Sequence, residues 1–135
     1  MSSVKVIRAL LVANSNLVAV VPSTRIIAGV LPQSTVVPAL CVTEISTLEL
    51  PNIDAQATKS LVSARVQVTI FSSNYATQKQ VLDLVRKACN YERGNIASTE
   101  VVSVQRLHNG PDFHDLETGL FMQSIDFKVI FNEDN

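Results

Sequence analysis

The sequence predicts an α+β domain: a mostly antiparallel sheet of about four strands, with two main helices packed on one face. Three observations predict it. Residues 61–72 alternate strictly, with Val62, Ala64, Val66, Val68 and Ile70 facing one way and Ser63, Arg65, Gln67 and Thr69 the other. That pattern makes a strand with one buried and one wet face. Residues 74–90 place Gln78, Val81, Leu82, Val85, Ala88 and Cys89 at helical spacing, which makes a helix with an apolar stripe. Residues 120–131 alternate again, with Phe121, Ile125, Phe127, Val129 and Phe131 against Met122, Ser124, Asp126 and Lys128.

The remaining elements follow in chain order. Residues 3–13 suit a short helix capped by Ser3, with Val4, Ile7, Leu10 and Leu11 on one side. Asn14–Asn16 ends it, and "NLVAVVP" reads as a further helical turn stopped by Pro22. Gly29, Pro32 and Pro38 punctuate residues 25–38, which read as extended chain and loop. Residues 39–47, "ALCVTEIST", form a first strand rich in β-branched residues. The helix at 74–90 is entered through Ser72, Ser73 and Asn74, all good caps. Arg86 and Lys87 occupy its last turn, where positive charge suits the helix dipole, and Asn90 to Gly94 break it. Residues 99–108 alternate loosely as another strand. The order is helix, strand, strand, helix, strand, strand, in a single domain spanning 1–135, with long connectors at 48–60 and 109–119 and a polar tail at 132–135.

Composition bounds the function. The 135 residues are 47% hydrophobic and 17% charged, with a formal net charge of −1. Such a chain buries a core without staples. It has no Lys/Arg run, so it lacks the basic patch by which proteins hold nucleic acid or an anionic membrane surface. "ALLVANSNLVAVV" imitates a secretory signal, but Asn14, Ser15 and Asn16 interrupt it and no small-residue cleavage pattern follows. The chain reads as soluble and cytoplasmic. Cys41 and Cys89 are far apart in apolar surroundings and read as two buried thiols.

The stretch "RLHNGPDFHDLETGLFMQSIDFKVIF" (106–131) brings both histidines near acidic residues. His108, Asp112, His114 and Asp115 are ligand types for zinc or iron. Their spacing guarantees no geometry, and Asn109–Gly110–Pro111–Asp112 is ordinary turn chemistry. No Gly-x-Ser-x-Gly elbow or phosphate-binding glycine fingerprint occurs. The residues point to no catalytic group, metal or cofactor. A small metal-dependent hydrolase using His108, His114 and Asp115 is the remote alternative.

Apolar residues in the connectors suggest contact surfaces instead. Leu48, Leu50, Pro51 and Ile53 fall within six positions of polar chain, and Phe113 and Leu116 stand in the second long connector. These are the expected protein-interface residues.

Four stretches resemble the tail completion (tail terminator) proteins of long-tailed bacteriophages. They are "IRALLVANSNLVAVV" (7–21), "RIIAGVLPQSTVVPALCVTEIS" (25–46), "ARVQVTIFSSNYATQKQVLDLVRKA" (64–88) and "DLETGLFMQSIDFKVIF" (115–131). Ile27, Leu40 and Phe121 depart from the pattern, where tyrosine is commoner, as do Met122 and Gln123, where basic residues are common. The resemblance implies a structural virion protein that forms a ring, usually a hexamer, at the head-proximal end of the tail. It implies that the ring ends tail-tube polymerisation and meets the head–tail connector or stopper. The partners so implied are further copies of itself, the tail tube protein and the connector, with DNA only as passing cargo and no membrane. The implied location is the tail or neck of the virion, assembled in the host cytoplasm. Another neck component is the nearer alternative. A near-neutral chain fits a ring through which DNA slides, because a strongly basic lumen would retard it.

Overall fold

The computed structural model describes residues 2–32, 35–50, 58–90 and 92–134. Two helices open the chain, α1 (Ser2–Ala13) and α2 (Ser15–Val20). Asn14 separates them in an extended conformation, and its side chain accepts from the Leu17 N–H at 3.0 Å. The residue expected to end one helix therefore starts the next. Ser3 does not cap α1. It lies inside the helix, buried, and its hydroxyl donates to Glu44 at 3.2 Å. Pro22 ends this region, and one 3₁₀ turn (Ser23–Arg25) follows.

Among the described residues the sheet has seven strands, where about four are expected from sequence, and it is mixed. Its strands are β1 (Ile26–Ala28), β2 (Ala39–Glu49), β3 (Lys59–Ser72), β4 (Gly94–Ile96), β5 (Thr99–Asn109), β6 (Phe113–His114) and β7 (Phe121–Asp134). The order across the sheet is β1-β2-β3-β7-β5-β4, with β6 on β7. β1 runs parallel to β2, pairing Ile26 with Leu40 and Ala28 with Val42; every other pairing is antiparallel. The three additional strands have two or three residues each, too few to display a period of two. Two connector boundaries also shift. β2 and β3 extend to Glu49 and back to Lys59 within the expected 48–60 connector, and β7 continues to Asp134 through the expected polar tail. Lys59, Ser60 and Leu61 pair with Asp134, Glu133 and Asn132, so backbone pairing makes strand there without an apolar pattern.

The third helix, α3 (Tyr75–Ala88), links β3 to β4. Asn74 caps it as expected, accepting from Ala76 N at 2.8 Å and Thr77 N at 3.4 Å. The core lies between the helices and one sheet face. Ile7, Leu11 and Leu17 meet Val66, Val68 and Ile70 of β3, Val81 and Val85 of α3, and Phe127 and Val129 of β7, all with almost no exposure. Phe127 is the largest fully buried side chain, and its truncation to alanine costs on the order of 3–5 kcal/mol at such sites. The opposite sheet face carries Ser63, Arg65, Gln67 and Thr69, as the alternation predicts. Among the described residues, no helix is long and apolar enough to cross a membrane.

Among the described residues, three bulges interrupt the ladders. Each inserts one residue: Ile45 between Glu44 and Ser46, Val102 between Val101 and Ser103, and Leu107 between Arg106 and His108. All three are exposed.

Candidate functional site

The 109–119 connector is docked onto α3 rather than left as a simple turn. Gly110 N donates to Ser124 O at 2.7 Å, and the Gln123 amide donates back to Gly110 O at 2.8 Å. Lys79 of α3 donates to Gln123 Oε1 at 2.8 Å and to Asp112 Oδ1 at 2.7 Å. The Tyr75 hydroxyl donates to the other Asp112 oxygen at 2.8 Å, and the Lys79 ammonium stands 5.2 Å from the Tyr75 ring centroid. The Lys79 ammonium, and secondarily the Tyr75 hydroxyl, hold the Asp112 carboxyl below its ordinary range. The same carboxylate holds the Lys79 ammonium above its own.

The histidines and acids gathered by sequence are put to separate uses. His114 stacks on Phe121 with centroids 4.3 Å apart and planes 15° apart, and Tyr75 meets Phe121 edge-on at 5.8 Å. Asp115 builds the turn into β7: its N–H donates to Leu120 O at 2.9 Å, and its side chain accepts from Glu117 N at 3.0 Å. Gly119 closes that turn with φ +73°, in the left-handed region that favours glycine, and donates to Asp115 O at 2.7 Å. His108 lies on β5, in register with Asp126. Among the described residues, no group of three or more His, Cys, Asp or Glu is arranged to hold a metal ion.

Two of the connector's apolar side chains face solvent. Phe113 is 58% exposed and Leu116 is 88% exposed. At the other end of the sheet, Leu48 on β2 is 63% exposed, whereas Leu50 is half-buried and donates its N–H to Leu61 O at 2.8 Å. Pro51 and Ile53 lie outside the described residues. The two apolar groups stand beside opposite ends of β7, near Ile130 and Phe121. That is about 30 Å apart at the ordinary rise of a strand.

Sequence reasoning missed other exposed apolar residues: Val30, Val36, Ile45, Val102 and Leu107. It also missed the burial of Asp126, which faces away from the helices yet is almost inaccessible. Arg65 donates to Asp126 Oδ2 through Nε at 2.9 Å and through a terminal guanidinium nitrogen. Two adjacent valines at 101–102, breaking the alternation, are the sequence signal for one bulge. The cysteines are buried and unpaired, as expected, and burial raises both thiols above their ordinary range.

Comparison with known proteins adds the following. A family model described as "Tail completion protein gp17" matches residues 5–132. No curated protein sequence matches the chain. One similar solved structure, a chain of the "Virion of native gene transfer agent (GTA) particle", superposes with a TM-score of 0.66 at 13% identity. It covers 95% of this chain and 92% of that one. At that identity the likeness is one of fold.

Proposed function

From the premise that this chain belongs to the tail completion protein gp17 family, structural proteins of the virion tail, we propose that it is a tail terminator. Copies form a closed ring, a hexamer as in the proteins it resembles, at the head-proximal end of the tail. The ring ends polymerisation of the tail tube and offers its far side to the head–tail connector. The observation that carries this reading is the family match, which runs through nearly every element of the fold.

The geometry supports it in one respect. A terminator has to meet two different partners along the tail axis, the tube on one side and the connector on the other. Exposed apolar residues stand at opposite ends of the sheet, Leu48 (with half-buried Leu50 beside it) at one and Phe113 and Leu116 at the other. Exposed apolar side chains at separated sites are what two such contacts need. Pro51 and Ile53 belong with the first group by sequence. The protein works without a cofactor, and DNA passes through the ring without specific binding.

The test is to mix the purified protein with tail tubes and examine them by electron microscopy, with mass measured in solution. Rings seated on tube ends, and tubes that no longer elongate, are the expected result. Leu48→Asp and Leu116→Asp should each weaken one of the two contacts. Binding to connector but never to tubes would instead make the protein another neck component.

A further inference from the structure

The sheet has two open edges. β1 covers β2 only along Leu40–Val42, and β4 covers β5 only along Thr99–Val101. Beyond them, Thr43–Glu49 of β2 and Val102–Asn109 of β5 have no strand on their outer side among the described residues. An open strand edge presents a row of backbone donors and acceptors that can template another strand.

These two edges are complementary. The β2 edge strand carries acidic side chains, Glu44 and Glu49, which line a shallow pocket of about 210 Å³ on the sheet face together with Glu133, two strands away on β7. The β5 edge is basic: Arg106 and His108 line a pocket of about 360 Å³ with Arg86 of α3. Exposed apolar side chains stand on both edges, Ile45 on one and Val102 and Leu107 on the other. Ile45, Val102 and Leu107 are the bulged residues. The opposite charges share a register row, since Glu44 pairs with Val66, Val66 with Phe127, and Phe127 with Arg106. A second row runs from Thr43 through Gln67 and Asp126 to His108.

Direction agrees as well. β2 is antiparallel to β3, β3 to β7 and β7 to β5, so β2 and β5 run in opposite senses. A second copy placed beside the first, helices on the same side, therefore brings its β2 against β5 as an antiparallel neighbour. We propose that Thr43–Glu49 of one copy pairs with Val102–Asn109 of the next, head to tail, continuing the sheet from subunit to subunit. The contact is heterologous, so it propagates and closes only by rotation. This deepens the ring reading and rests on it for closure alone.

Cysteine cross-linking tests it. Thr43→Cys protein mixed with His108→Cys protein should give oxidised dimers and nothing larger, while either variant alone gives none. The doubly substituted chain should give a ladder beyond dimers. Circular dichroism checks that each variant is folded. As a second route, Glu44→Arg should cut cross-linking severalfold, and Arg106→Glu on the partner should restore it. Absence of the mixed dimer, or an equal yield from either variant alone, overturns the pairing. Rings seen by microscopy without cross-links would overturn the edge contact and leave the ring reading standing. Cross-links without rings would support the edge contact and count against closure.

Discussion

Arg65 reaches diagonally from β3 to Asp126 on β7, and both of its donating nitrogens meet the same carboxylate oxygen. The partners sit differently in solvent: the Asp126 side chain is 7% exposed and that of Arg65 is 45% exposed. A carboxylate removed from water on an otherwise wet face depends on its partner.

Arg65→Met should therefore cost about 2 kcal/mol. That lies between the roughly 0–1 kcal/mol of an exposed pair and the roughly 3–5 kcal/mol lost when a fully buried pair is broken. Combining it with Asp126→Asn should recover part of the loss. Urea unfolding of the single and double variants measures the coupling, and additive losses would show the pair to be energetically idle.

The docked connector should come loose in acid. Asp112 titrates below its ordinary range in the folded chain, so its contribution is present above the unfolded value and is lost as pH falls through the folded one. Lys79 titrates above its ordinary range, so its contribution is complete below the unfolded value and disappears only as pH rises through the folded one. Docking is thus intact at neutral pH. The protection factors of the Gly110, Phe113 and His114 amides, taken against intrinsic exchange at each pH, should fall at strongly acid pH. Lys79→Met should return Asp112 toward the ordinary carboxylate range, and an unchanged Asp112 titration by NMR would refute that assignment.

Gln78 presents a different opportunity. It is fully buried on the core face of α3, and neither its amide nitrogen nor its oxygen has a hydrogen-bond partner among the described residues. Gln78→Met keeps the length and removes two desolvated polar atoms. Stability should rise by about 1 kcal/mol or more, given the usual cost of an unsatisfied buried polar group. A loss on thermal or urea unfolding would mean that a buried water serves the amide.

The β4–β5 hairpin turns through Ala97 and Ser98, both with positive φ, at 50° and 62°. Residues with a Cβ pay about 1–2 kcal/mol each in that region, and Asn and Gly are the residues that tolerate it. Ala97→Asn with Ser98→Gly should raise the unfolding midpoint without altering the strand register. Equal or lower stability would show that the turn is not strained.

The long elements were legible because their burial follows one repeating period. Val62 to Ile70 on β3 and Gln78 to Ala88 on α3 are buried where the pattern places them. β1, β4 and β6 were not, since two or three residues carry no period. Ser3 and Asp126 depart for tertiary reasons, because their partners Glu44 and Arg65 are distant in sequence and no local pattern encodes them. At the connector, turn residues announced the loop at Asn109–Asp112. The anchoring by Tyr75 and Lys79, more than 30 residues upstream, needed the fold.

On the proposed edge pairing the protein is, in the vocabulary of polymer chemistry, an A–B monomer, with one acidic and one basic open edge. Such a monomer cannot be capped by its own kind, so growth stops only when the chain bites its own tail. Cyclisation wins when the effective concentration of the two ends exceeds the free monomer concentration. In such a ring, copy number would be set by the angle between successive subunits rather than by a count encoded in any residue. On the proposed pairing, the twist of the sheet and the bulges at Ile45, Val102 and Leu107 would set that angle.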